Sequence, residues 1–172
     1  MEILEASESD FDHIYPIFAE IVSKGDTYPY CKDTTKDEAY RIWMETPHKT
    51  FVAKANKQII GTYYIKPNQS DRGSHVCNCG YMVASDARGR GVATSMCIHS
   101  QETALKLGYR AMQFNLVVSS NQRAIELWNS LGFDAIGRLP SAFDHPLLGY
   151  IDALVMYKWL SPKQSPAPLL NP

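Results

Sequence analysis

Gly80–Ala93 reads GYMVASDARGRGVA. An apolar strand ends in a short polar turn, the turn opens into Arg88-Gly89-Arg90-Gly91, and a helix begins at once at Val92. Glycines let the backbone turn tightly with its N–H groups pointing inward. The new helix offers its unpaired N-terminal N–H groups and the positive end of its dipole to the same point. This order of elements builds an anion cradle. Arg88 and Arg90 add to it, because two guanidinium groups beside a helix N-terminus repel each other unless an anion lies between them.

Working outward, residues 2–6 predict a first strand. Ser9 is a helix cap for a segment through about Ser23, with Pro16 expected to kink it or delay its start. Gly25–Cys31, GDTYPYC, reads as an aromatic loop. Thr35 and Glu38 have capping-box spacing and predict a helix through about Glu45. Lys49–Ala55 and Gln58–Lys66 read as two strands around a tight turn at Asn56-Lys57, and His75–Val83 as the strand feeding the cradle. Beyond the cradle, Val92–Leu107 has helical spacing with Gly108 as its stop. Ala111–Val118 reads as a buried strand. Asn121 caps a helix through about Leu131, closed by Gly132. Phe133–Leu139 and Ile151–Leu160 read as the last strands, separated by PSAFDHPLLGY, a loop of about 10 residues, long enough to carry function. A meander of strands followed by alternating strands and helices predicts a mixed sheet flanked by helices, an α/β (α+β layered) fold. Residues 1–160 are expected to form one domain, and the proline-rich segment from Ser161 a disordered tail.

The chain has 172 residues, a 45% apolar fraction and a net charge of −1. Such a composition suits one globular core. It supplies no basic field for nucleic acid or an anionic membrane, and no apolar run reaches the ~18 residues of a membrane span. The start, MEILEASESD, lacks the basic and apolar regions of a secretory signal, so the expected location is cytoplasmic. Cys31, Cys77, Cys79 and Cys97 are then expected as reduced thiols. His75, Cys77 and Cys79 alternate on one strand face, but no second pair with zinc spacing accompanies them, so no metal is expected.

From the residues alone the cradle keeps three readings. A nucleoside-triphosphate loop would need a lysine before Ser or Thr, which is missing. Gly89-x-Gly91-x-x-Thr94 matches a dinucleotide fingerprint poorly. A plain strand-to-helix turn is the third. Arg88-Gly89-Arg90-Gly91-Val92-Ala93, however, resembles the Arg/Gln-x-x-Gly-x-Gly/Ala signature of the GNAT acetyltransferase superfamily. Asn121–Phe133, NQRAIELWNSLGF, resembles that superfamily's second signature, in the right order. Gly61–Val83 and Phe114–Gln122 further resemble the yeast acetyltransferases that act on azetidine-2-carboxylate and related proline analogues.

The resemblance implies a mostly antiparallel sheet of six to seven strands with about four helices, splayed between residues 75–83 and 111–118. It implies acetyl-CoA as co-substrate, with its pyrophosphate on the backbone N–H groups of residues 88–94 (Arg88, Gly89, Arg90, Gly91, Val92, Ala93 and Thr94). Met82, Val83, Asn121 and Trp128 would complete that site. Asn78 would hold the acceptor, and the N–H groups of Asn115 and Leu116 would meet the reacting carbonyl. The implied partner is a small-molecule amine, and a homodimer is a form common in the superfamily.

Two residues depart from the superfamily's pattern. Trp128 stands where a tyrosine often protonates the leaving thiolate, and Asn78 where a glutamate often acts as base. Tyr150, Tyr28 and His145 are the candidates to replace them. Tyr28, Tyr30, Tyr63 and Tyr64 either line an acceptor pocket, with Tyr28, Tyr63 and Tyr150 as substrate contacts, or fill the core. Lacking a base, the chain favours an amine that loses its proton easily, an amino acid or proline analogue. Two alternatives are a protein or peptide N-acetyltransferase and a non-catalytic acyl-CoA sensor.

Overall fold

The structure, a computed structural model, describes residues 1–161. The predicted tail therefore lies outside the described residues from position 162 on. Seven strands form one sheet: β1 (Glu2–Glu5), β2 (Lys49–Ala55), β3 (Gln58–Pro67), β4 (Val76–Val83), β5 (Ala111–Val118), β6 (Asp134–His145) and β7 (Gly149–Trp159), in the order β1-β2-β3-β4-β5-β7-β6. Every neighbouring pair is antiparallel except β4 and β5. The β2–β3 turn has positive φ at both Asn56 and Lys57 (49° and 68°), the hand that suits the twist of the flanking strands.

Four helices flank the sheet: α1 (Phe11–Lys24), α2 (Lys36–Tyr40), α3 (Val92–Lys106) and α4 (Gln122–Ser130). In α1 the stripe Phe11, Ile14, Ile17, Phe18, Ile21 and Val22 is buried, at the i, i+3, i+4, i+7 spacing of one helix face. Its entry differs from expectation. Ser7, not Ser9, closes a capping box with Asp10, ahead of a 3-10 turn at Glu8–Asp10. Asp12, three residues after Ser9, is drawn to Lys36 instead, at 2.7 Å. Pro16 sits within α1 without ending it. The Thr35–Glu38 box forms as expected. The segment after it, Arg41–Glu45, winds as a wider π turn that carries the buried Trp43.

Two apolar clusters fill the two faces. One holds Tyr63, Cys77, Cys79, Met96, Cys97, Phe114, Trp128 and Phe133, under α3 and α4. The other holds Phe18, Trp43, Val52, Tyr64 and Met82, under α1 and α2. Alternation along β3 thus sends Tyr63 and Tyr64 into different cores.

The segment expected as a loop, residues 140–150, is instead a continuous hairpin. β6 pairs with β7 out to His145↔Gly149, leaving only residues 146–148 as the turn. Pro140 cannot donate to a ladder, which β6 tolerates as an edge strand. A register slip between Leu139 and Phe143, with Ser141 at φ 51°, absorbs the irregularity. The Asp152 carboxylate holds the slip by accepting from the Ser141 N–H and the Arg138 guanidinium. No helix of the described residues is long and apolar enough to cross a membrane.

Candidate active site

The cradle has the predicted geometry. Gly89 and Gly91 take φ of 75° and 76°, a left-handed region that costs other residues about 1–2 kcal/mol. A Cβ built at either meets nothing within 4 Å, so both face open space. α3 starts from Gly91 with no side-chain cap and no acidic residue in its first turn. A 15-residue helix thus leaves its first N–H groups and positive dipole end open to a ligand. Arg88 and Arg90 are exposed. Arg88 has some counter-charge within the chain. The Glu20 carboxyl is held below its ordinary value, chiefly by its hydrogen bond to Lys24 and more weakly by Arg88.

The gap lies beside it. β4 and β5 pair only at Val76↔Ala111 and Cys77↔Met112. The next residue of β4, Asn78, is buried. Its Nδ2 donates to the Gln113 carbonyl at 2.9 Å, and its Oδ1 accepts from the Tyr64 hydroxyl at 3.1 Å. This amide bridges the strands where the ladder stops. On the far side of β5 the register against β7 slips between Phe114 and Val117, so Asn115 and Leu116 sit in a bulge, out of regular pairing. The Asn115 side chain accepts from Gln113 Nε2 (2.8 Å) and donates to Asn68 Oδ1 (2.7 Å).

Of the other residues expected at the donor site, Val92 is buried, while Ala93 and Thr94 are half-buried in the first turn of α3. The Met82 side chain is buried in the cluster under α1 and α2, whereas Val83 packs against the cluster under α3. Asn121 caps α4, its Oδ1 accepting from the Ala124 N–H at 3.2 Å. The Trp128 ring packs against Tyr81 and Phe114, with centroids at 5.1 and 5.0 Å.

The aromatic set separates. Tyr28 stacks on Tyr30 (5.5 Å) and meets Trp43 edge-on, and Trp43 meets Tyr64 in the same way. The Tyr28 hydroxyl donates to the Tyr81 carbonyl at 2.8 Å. These tyrosines share the Asn78 face. Burial pushes the phenols of Tyr28, Tyr30 and Tyr64 above their ordinary values, so none is poised as a base. Beside them, Thr27 Oγ1 is buried with no hydrogen-bond partner.

Tyr63 does not belong to this set. It stacks on Phe51 under α3, and its hydroxyl meets His99 Nδ1 at 2.7 Å. Tyr150 is 74% exposed on the β6–β7 hairpin. His145 Nδ1 accepts from the Leu147 and Leu148 N–H groups (3.2 and 3.3 Å), which commits that nitrogen to the turn. The turn that follows His145 lies against the segment leading to Tyr28, where a Cβ at Gly25 would meet Pro146 Cγ at 3.8 Å.

Cys77, Cys79 and Cys97 are buried in the α3-side core, and Cys31 is exposed; all four are free. Burial, with Cys77 alongside, pushes the Cys79 thiol up. His75 turns away to the Arg72 carbonyl and the edge of Trp159. A surface hollow of ≈ 640 Å³, lined in part by His48, His75 and Tyr109, lies at the paired ends of β4 and β5, away from the gap.

Sequence reasoning missed Gln113 and Lys66. Gln113 contributes a backbone carbonyl, which no sequence pattern marks. Lys66 lies directly opposite Asn78 in the β3–β4 register. Its two-residue spacing from Tyr64 was the available signal, since it puts both on one face.

Comparison with known proteins adds an independent line. Residues 13–133 match the profile of the acetyltransferase (GNAT) family. The N-acetyltransferase aca1 of Schizosaccharomyces pombe is 29% identical over 153 residues, covering 78% of this chain and 72% of that protein. A GCN5-related N-acetyltransferase from Kribbella flavida is 40% identical with a TM-score of 0.86, over 92% of this chain and 96% of that one. The Salmonella typhimurium protein yncA, solved with its cofactor acetyl-CoA, is 20% identical with a TM-score of 0.80, over 98% of each chain. At that identity the likeness is one of fold.

Proposed function

The chain belongs to the acetyltransferase (GNAT) family, and from that premise we propose that it moves the acetyl group of acetyl-CoA to the amine of a small, amino-acid-like molecule. Transfer is direct, within a ternary complex. The observation that carries this reading is the uncapped N-terminus of α3, following the C-terminal end of β4, unpaired with β5, where the gap between the two strands is open. The residues there fit a CoA pyrophosphate: two positive-φ glycines with open space at their Cβ positions, unpaired N–H groups and two exposed arginines.

When bound, acetyl-CoA supplies an activated acetyl thioester. The chain's own residues do the rest. The N–H groups of Gly91, Val92, Ala93 and Thr94 hold phosphate at the helix end. The N–H groups of Asn115 and Leu116, in the β5 bulge, are donors for the reacting carbonyl, each worth ~2.7–4 kcal/mol in such a role. Holding both reactants in the gap contributes up to ~7–11 kcal/mol.

Asn78 takes no proton. Its amide is already committed on both sides, to Gln113 and to Tyr64. The acceptor therefore sheds its proton to water. At pH 7 that costs about 1.4 kcal/mol for the α-amine at a peptide N-terminus, of pKa ~8, against about 4.6 kcal/mol for a lysine side chain. This difference weighs against protein lysine, while the resemblance to enzymes acting on proline analogues supports the small, amino-acid-like acceptor.

The test is release of CoA thiol from acetyl-CoA with a panel of free amino acids, proline analogues, simple amines and peptides. The expected result is turnover of small amino acids or proline analogues. Turnover of peptides alone would overturn the acceptor assignment. CoA binding without thiol release from any amine would make the chain a sensor.

A further inference from the structure

On the Asn78 face of the sheet the polar side chains near the gap are mostly amides: Asn78, Gln113, Asn115 and Asn68, the last three linked in a chain. Lys66 is the cation beside them. It pairs directly with Asn78 in the β3–β4 register and is half-buried. Its Nζ lies 5.3 Å over the Tyr64 ring, the same ring whose hydroxyl holds Asn78. Among the described residues no carboxylate forms an ion pair with it, while five other pairs do form. The amides around it carry no countercharge. A half-buried ammonium over an aromatic ring is therefore left without an anion, on the residue paired directly with Asn78 at the closed end of the gap.

We propose that Lys66 anchors the carboxylate of the acceptor. This rests on the acetyl-transfer reading and narrows it, from a small amine to one carrying a carboxylate a few bonds from its nitrogen. Asn78 and the rim of the gap lie next to Lys66, so an acceptor whose carboxylate meets Nζ has its amine directed at the gap. The flexible lysine stem covers the remaining distance. The Tyr64 ring lies beneath the ammonium, and an ammonium–carboxylate contact in a half-buried site is stronger than one in open water. An amine without a carboxylate would find no partner for this charge. The anchor is a specificity element and takes no part in proton transfer.

The experiment compares wild type with Lys66→Gln and Lys66→Arg on the common L-amino acids and azetidine-2-carboxylate, each beside its carboxamide. Taking the variant-to-wild-type ratio for each acceptor cancels differences in amine pKa. Lys66→Gln should raise KM for the free acids roughly 10- to 100-fold, the effect of losing a charge-assisted hydrogen bond. KM for the carboxamides should barely change. Lys66→Arg should recover part of the loss, and the Kd for CoA should be unchanged in both variants. Equal losses for acid and carboxamide, or no loss for either, would overturn the anchor, as would a wild type that takes carboxamides as readily as acids. A wild type that transfers to no amine would instead overturn the acetyl-transfer reading. In that event calorimetric titration of the same acids onto the CoA-loaded protein still reads the anchor: acids binding wild type but not Lys66→Gln support it, and equal or absent binding sinks it.

Discussion

Asn78 and Gln113 are joined by a 2.9 Å hydrogen bond from side-chain Nδ2 to backbone carbonyl, one residue past the last paired position of β4 and β5. The bond replaces a ladder contact with a side-chain strut, so the width of the gap at its closed end depends on one amide. Replacing Asn78 by Ala should lower stability by about 1–3 kcal/mol, because the Gln113 carbonyl and the Tyr64 hydroxyl lose a buried partner. Turnover should fall at least tenfold while the Kd for CoA stays within a few fold, since the cradle lies at the other end of β4. Urea denaturation, steady-state kinetics and CoA calorimetry would check this. A loss of CoA affinity as large as the loss of turnover would move Asn78 into the donor site.

Gly91 separates folding from binding. Gly91→Ala keeps the helix N-terminus open and should cost about 1–2 kcal/mol of stability for the left-handed backbone at that position. Gly91→Glu carries the same strain, partly offset by a carboxylate at a helix N-terminus. That carboxylate takes the place of the phosphate, so CoA binding should be lost in calorimetry although the protein remains folded. Retained CoA affinity would show that the phosphate lies elsewhere.

Tyr63 and Tyr64 are adjacent in sequence and should respond oppositely. Tyr63→Phe removes the nearer of two hydroxyl partners of His99 Nδ1, leaving Thr103, and should cost about 1 kcal/mol of stability, with acceptor KM unchanged. Tyr64→Phe frees Asn78 Oδ1 and should lower turnover. A changed acceptor KM in Tyr63→Phe would return that residue to the pocket.

Asp10 sets part of the acid limit of stability. Burial opposes its ionisation, but hydrogen bonds from Lys54 and Ser7 outweigh burial and bring its pKa from 3.8 to about 2. A carboxyl with a depressed folded pKa stabilises above its unfolded value, and that contribution fades as pH falls through the folded value. Roughly 2 kcal/mol should therefore be present above pH ~4 and lost towards pH ~2. Asp10→Asn should lack it at neutral pH and lose less between those values. Denaturation midpoints measured across that range would show parallel curves if Asp10 has no such role.

Several elements were legible because their determinants are local. The positive-φ glycines of the cradle, the Thr35–Glu38 box, the Asn121 cap and the Asn56-Lys57 turn each depend on residues within a few positions of one another. The last two strands were legible, but the continuation of their hairpin through residues 140–150 was not. The segment PSAFDHPLLGY reads as a loop, whereas its pairing depends on Asp152 reaching back to Arg138 and Ser141. The Ser7 cap was missed for a related reason: Asp12 was already engaged by Lys36, 24 residues away.

By itself the sequence determined the order of elements and the cradle, since backbone conformation at Gly89 and Gly91 and the start of α3 follow from residues in contact along the chain. It also determined, by alternation, that Tyr63 and Tyr64 face apart. Only the tertiary structure decided which face holds the candidate acceptor side, because that depends on α1 and α2 covering Tyr64 and α3 covering Tyr63. It likewise decided that Asn78 is a strut and that Lys66 stands beside it unpaired. Those relations join residues 12 and 35 positions apart in the chain, and strand pairing, not local propensity, brings them together.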